Sequence, residues 1–160
     1  MLETIWTERE TGFAIRLIIS LIIGYAIGAE RESRRKAAGI STHAFVVAGA
    51  ALFAYISQTA DPNSPARVAA QIVSGVGFLG AGIILKEEGG IIRNLTTAAS
   101  IWFAASIGMA IGYGWYTIAL IAGAFSVVVP RIPHIAGSPD EEPTAVPTPR
   151  RRSGLFRPRR

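Results

Sequence analysis

The sequence contains no cysteine, and it has almost no charge along most of its length. Without cysteine there is no disulfide framework, no thiolate metal site, no cysteine nucleophile and no lipoprotein anchor. The lack says little about compartment, because a helical membrane bundle needs no disulfides. Of the 27 charged residues, 11 lie in residues 1–36 and 10 in residues 130–160, so the 93 residues between hold only Asp61, Arg67, Lys86, Glu87, Glu88 and Arg93. A soluble domain of that size cannot cover itself with six charges. The overall charged share of 17% is also below the roughly 25% of soluble domains. An ordinary water-soluble enzyme and a nucleic-acid-binding module are therefore excluded, despite the net charge of +5. No GxSxG, HExxH or GxxxxGK[ST] pattern occurs, so the chain is expected not to be an enzyme, and no resident cofactor is expected.

What the sequence does have is apolar length. Hydrophobic residues make up 50% and glycine adds 17 more residues. They form five runs, at about residues 13–29, 43–57, 66–85, 95–111 and 115–129. Backbone in hydrocarbon must satisfy its own hydrogen bonds, which makes helices the default, and none of the runs alternates with period two as a strand would. The expected fold class is all-α, a polytopic membrane helical bundle of about five transmembrane helices. Runs two and five are short for about 30 Å of hydrocarbon; they are expected to recruit flanking residues, thin the bilayer or sit partly inside the bundle. Residues 1–10 carry three glutamates and one arginine, the wrong charge for a signal peptide's basic start, so the first run reads as a retained span. The domain layout is then an extracytoplasmic segment over 1–12, a transmembrane domain over 13–129, and a disordered Pro- and Arg-rich tail over 130–160.

Basic residues give the orientation. Arg31, Arg34, Arg35 and Lys36 follow the first run, Lys86 and Arg93 lie between the third and fourth, and Arg131 and six arginines from 150 to 160 follow the fifth, 13 in all on one side. The positive-inside rule predicts an N-terminus outside and a cytoplasmic C-terminus. Tyr113, Trp115 and Tyr116 are then expected at the outer interface. The tail arginines are expected to lie on the anionic cytoplasmic leaflet.

The glycines are spaced for close helix approach: Gly24 and Gly28 in the first run, Gly75, Gly77, Gly80 and Gly82 in the third, Gly108 and Gly112 in the fourth. Small residues four apart let backbones touch in lipid, so bundle packing is the expectation. The alternative is that the four glycines of the third run break the helix and expose carbonyls to an ion. A homo-oligomer is also expected, because small-residue faces invite self-association. The stretches GAERESRRKAAGISTHA and GAGIILKEEGGIIRNLTTAA share a weak pattern, suggesting a parallel internal repeat.

The candidate functional residues are polar groups at the ends of runs. Arg16 lies about one turn inside the outer end of the first run. It either snorkels to headgroups, or makes a buried pair, with Glu10 and Asp61 the best partner candidates on that side, or a substrate contact. Glu30 and Arg31 close that run; Glu30 is the best candidate to help hold a hydrated cation, as magnesium keeps several waters and often uses one or two carboxylates, or else it is a surface acid beside a basic loop. Thr42 and His43 open the second run, and Asn94, Thr96 and Thr97 open the fourth. Hydroxyls there cap helices, while helix N-termini attract anions. Arg67, Gln71 and Ser74 share one face of the third run, placed either to bond across helices or to line a polar path.

These stretches, with ARVAAQIVSGVGFLGAG and NLTTAASIWFAASIG in the same order, resemble the MgtC/SapB family of bacterial inner-membrane proteins over about residues 13–129. By position, the family pattern marks Arg16, Gly28, Glu30, Arg31, Gly39, Thr42 and His43 in the first half. In the second half it marks Arg67, Gln71, Gly75, Gly77, Phe78, Leu79, Gly80, Ala81, Gly82, Leu95, Thr96, Thr97 and Ala98. The chain departs from it at Ser41, where arginine is more usual, and at Asn94, where glycine is. Many members carry a folded cytoplasmic C-terminal domain where this chain has its Arg-rich tail. The resemblance implies a multi-pass inner-membrane protein linked to magnesium homeostasis, often labelled a magnesium transporter. It alternatively implies a non-transporting regulator that binds another membrane complex such as the F-type ATP synthase, and some members are linked to survival of pathogens in host cells.

Overall fold

The computed structural model describes residues 7–86 and 92–132. Among these, five α-helices run in chain order: α1 Glu8–Ser33, α2 Ile40–Ala60, α3 Ala66–Ile83, α4 Leu95–Gly112 and α5 Tyr116–Val128. A short ribbon joins α3 to α4, with β1 (Leu85–Lys86) antiparallel to β2 (Ile92–Arg93). A 3-10 turn, Val129–Arg131, follows α5. The proposed tail over 130–160, with His134 and its terminal arginines, lies outside the described residues beyond Ile132, as do residues 1–6 and the Glu87–Glu88 part of the loop.

Each helix starts and stops for local reasons. Thr7 and Glu10 close a capping box at the start of α1, with the Glu10 carboxylate 2.9 Å from the Thr7 amide, which satisfies first-turn N–H groups. α2 has no capping side chain of its own; instead the Ile40 amide donates to Glu32 Oε1 at 3.0 Å. α4 begins after Asn94, whose φ of +63° is left-handed. That conformation suits glycine or asparagine and few others, so the Asn94 departure from the family pattern meets the same backbone demand.

α4 is the centre. It buries ten residues, among them Ala104, Ala105, Gly108 and Gly112, and its small face lets α2 come within backbone contact. A Cβ on Gly112 would lie 2.5 Å from the Ala51 carbonyl oxygen, and one on Gly108 would meet the Val47 carbonyl. The first helix pair is built the same way: a Cβ on Gly24 would lie 2.6 Å from Ala44 Cα, and Gly28 faces Ile40. Two apolar clusters result. Ile23, Ile27, Val47, Ile107, Ile111 and Ala119 join α1, α2, α4 and α5, and Ala50, Ala54, Ile72, Val76 and Ile101 join α2, α3 and α4.

Four helices, α1 to α4, are long and apolar enough to cross a membrane, and the chain is an all-α polytopic bundle. The second run gains residues at both ends and becomes a 21-residue helix. The fifth does not. At 13 residues, α5 spans about 20 Å at 1.5 Å per residue, well short of the hydrocarbon. It still exposes Ile118, Leu120, Ile121 and Phe125, as a lipid-facing segment does. The third run ends earlier than expected, at Ile83, because Leu85 and Lys86 pair into the ribbon.

The glycines of α3 follow neither expectation. The helix is continuous through them, and Cβ atoms on Gly75, Gly77 and Gly82 would meet nothing within 4 Å, while Gly80 would touch only Ala98 Cβ at 3.7 Å. Within one chain, then, Gly24 and Gly28 pack helices and Gly75, Gly77, Gly80 and Gly82 do not. The physical reason is rotation: α3 leans on the bundle through Ala69, Ile72 and Val76, and the glycines fall mostly on its other faces.

Candidate functional site

The end of α1 and the starts of α2 and α4 converge on a buried polar cluster. Glu30, Arg31, His43 and Thr97 are 5%, 2%, 0% and 1% exposed. Arg31 reaches across from α1 to α4, where its Nη2 donates to Thr97 Oγ1 at 3.2 Å. His43 sits where α2 crosses α4. Its Nδ1 donates to the Gly39 carbonyl at 2.9 Å, which fixes the proton on that nitrogen because a carbonyl only accepts. Its Nε2 lies 3.3 Å from Ser100 Oγ, whose single proton can go either to that nitrogen or to the Thr97 carbonyl at 2.8 Å. Arg31, Thr97, Ser100 and His43 therefore form one continuous polar seam across three helices. Asn94 holds the approach to α4 by donating from Nδ2 to the Ile83 carbonyl at 3.3 Å.

Glu30 does not stand open. Its buried carboxylate is paired with Arg34 one turn later, and Arg31 is its chain neighbour. Two guanidinium groups beside one carboxylate leave a net positive charge, which disfavours a dication by direct Coulomb repulsion. The candidate Mg2+ ligand is thus an internal ion-pair partner. Among the described residues no group of three or more His, Asp or Glu side chains is placed to hold a metal. Thr42 is half-buried and Thr96 exposed. Both lie at this end of the bundle, but neither joins the seam through a side-chain bond given by the geometry.

The opposite end is organised around Arg16. Its Nε donates to the Gly112 carbonyl at 3.1 Å and its Nη1 to the Gly12 carbonyl at 2.9 Å. The guanidinium lies over the Tyr55 ring at 4.6 Å and the Tyr116 ring at 5.8 Å, within cation–π range. It turns into the bundle rather than out to headgroups, and its partners are neither Glu10 nor Asp61: Glu10 serves Thr7, and Asp61 pairs with Arg67 at 3.3 Å. Arg67, Gln71 and Ser74 are all exposed on α3. The expected sites therefore divide into three places: the seam at one end, Arg16 at the other, and the outer face of α3.

Sequence reasoning missed Arg34, Ser100, Tyr55 and the Gly112 carbonyl. The i,i+4 spacing of Glu30 and Arg34 was a usable signal. A backbone carbonyl leaves none.

The model of the MgtC family matches residues 17–134. Protein MgtC of Salmonella typhimurium strain 14028s is 48% identical over 110 residues, covering 69% of this chain and 47% of that protein. The Escherichia coli K12 protein named "Putative magnesium transporter YhiD" is 44% identical over 131 residues, covering 76% of this chain and 60% of that protein. An uncharacterized protein of Synechocystis sp. PCC 6803 is 42% identical over 119 residues, covering 74% of this chain and 50% of that protein. The chain spans about half the length of the curated relatives it matches. No solved structure matches it.

Proposed function

The chain belongs to the MgtC family, and from that premise we propose that it is a multi-pass bacterial inner-membrane protein of magnesium homeostasis that acts by binding another membrane protein. In this reading the N-terminus is outside, the C-terminus is cytoplasmic, and the chain performs no catalytic step. The observation that carries it is the state of α3. This 18-residue helix buries only Ala69, Ile72 and Val76, while Gln71, Ser74, Gly75, Gly77 and Phe78 are exposed. Lipid tails offer nothing to the Gln71 amide or the Ser74 hydroxyl, whereas a second helix can hydrogen-bond to both and close on the glycines. The pairing of Glu30 with Arg34 supports the same reading, because it removes the best carboxylate from service as an ion ligand.

A second reading, magnesium transport, is favoured by the printed name of the Escherichia coli relative. Magnesium flux into liposomes containing the purified chain separates the two. The interaction reading expects flux equal to that of empty liposomes under either sign of membrane potential. Saturable magnesium uptake by the wild-type chain would replace it with the transport reading.

A further inference from the structure

Arg31 is a permanent cation that is 2% exposed and has no carboxylate paired with it among the described residues. Among the described residues its one hydrogen-bond partner is the neutral Thr97 hydroxyl, and its Nε has no partner there. A buried charge in that position costs several kcal/mol unless an opposite charge meets it. Of the neighbouring acids, Glu30 is paired with Arg34 and offsets only part of the Arg31 charge, and Glu32 is bonded to the Ile40 amide.

The groups around Arg31 are mostly donors. Thr97 Oγ1 accepts from Arg31, which leaves its own proton to give. Thr97 is the third residue of α4, and that helix starts with no side-chain cap, so its first-turn amides lack intrahelical acceptors. Leu95 and Thr96, which carry the first two of those amides, are exposed. The positive end of the α4 dipole lies at the same place. A cation is repelled by this set, while an oxyanion with several acceptor oxygens satisfies the amides, the hydroxyl and the guanidinium together.

We propose that the first turn of α4, backed by Arg31 and Thr97, binds a phosphate-type oxyanion. The phosphate comes either from a phospholipid headgroup at this end of the bundle or from a free phosphate in solution. The site is independent of the partner-binding role of α3.

The test uses the purified full chain in neutral detergent. In one arm inorganic phosphate is titrated against chloride at matched ionic strength while thermal unfolding is followed. In the other, native mass spectrometry reads phospholipid retained after delipidation. A saturable rise in Tm with phosphate assigns the free source, and a retained phospholipid assigns the headgroup. Arg31→Gln should weaken whichever signal appears by about tenfold or more, the loss of one charge-assisted contact. Thr97→Val, which keeps the charge, should weaken it less, and Arg35→Gln, at an exposed arginine, should leave it unchanged. The proposal is overturned if the wild-type chain gives neither signal, if the signal survives unchanged in Thr97→Val and Arg31→Gln, or if Arg35→Gln removes it equally.

Discussion

Arg16 and Gly112 are 96 positions apart and are joined by a 3.1 Å hydrogen bond from the guanidinium Nε to the last carbonyl of α4. Helix C-termini carry unmet carbonyls and partial negative charge, so a cation placed there answers both. Because Arg16 also binds the Gly12 carbonyl and lies on Tyr55, it ties α1, α2 and α4 together at one end of the bundle.

Replacing Arg16 should therefore loosen the fold rather than merely change surface charge. Arg16→Leu is expected to lower stability by about 1–3 kcal/mol, the worth of hydrogen bonds to a charged group. Arg16→Lys should fall between, because an ammonium keeps the charge but loses the planar fork. Thermal unfolding in detergent checks both. Equal melting temperatures for wild type and Arg16→Leu would show that the contact carries no weight.

The glycines should separate into two kinds. Gly24→Val forces a side chain into Ala44, whose Cα would lie 2.6 Å from the new Cβ, and overpacking of this sort costs about 1–3 kcal/mol. Gly77→Val meets nothing within 4 Å and should melt within about 0.5 kcal/mol of wild type, as substitutions away from packed features do. The comparison is made with the two variants in the same detergent. A Gly77 variant as unstable as the Gly24 one would mean that α3 packs differently from the structure.

Glu30 and Arg34 should behave as a coupled pair. The Glu30 side chain is 2% exposed and that of Arg34 40%, so removing the arginine takes away the paired cation and leaves the buried carboxylate only its chain neighbour Arg31. Arg34→Gln and Glu30→Gln are each expected to destabilise, and the double variant should be less damaging than the two singles added, by about 1 kcal/mol or more. A double-mutant cycle on thermal stability reads this directly. Additive effects would break the pairing and return Glu30 to candidacy as a free ligand.

The seam around His43 gives a further expectation. Ser100→Ala leaves His43 Nε2 without the hydroxyl that lies 3.3 Å away and should cost about 1–2 kcal/mol, the penalty of one unmet buried polar group. Ser106→Ala is the matched control: it removes a hydroxyl that bonds only back to the Phe103 carbonyl on an exposed position of the same helix, and it should cost little. Equal losses in the two variants would remove His43 from the account of Ser100.

How far the sequence could be read depended on the kind of signal. The scarcity of charge and the long apolar runs revealed the bundle, because burial in lipid is written into composition residue by residue. The flanks of α2 were less legible: Thr42 and Gln58 are polar, yet helical backbone continues through them once α4 is alongside. Glycine spacing proposed packing in α1 and α3 alike. It could not say which way each helix is turned, and rotation alone separates Gly28 against Ile40 from Gly77 against nothing. Arg16 was legible as an anomaly inside an apolar run. Its partner was not, since the Gly112 carbonyl belongs to backbone that every residue shares. The convergence of Glu30, Arg31, His43 and Thr97 followed from helix ends that the loops placed on one side, but the seam through Ser100 needed the crossing of α2 and α4 to be known.

The central claim is that the exposed face of α3 meets another membrane protein. Photo-crosslinking in native membranes tests it most directly, with the photoreactive residue placed at Ser74 or Phe78 on α3 and, as a lipid-facing control, at Leu120 on α5. The account predicts protein adducts from the two α3 positions and only lipid adducts from Leu120. Lipid adducts alone from Ser74 and Phe78 would contradict it.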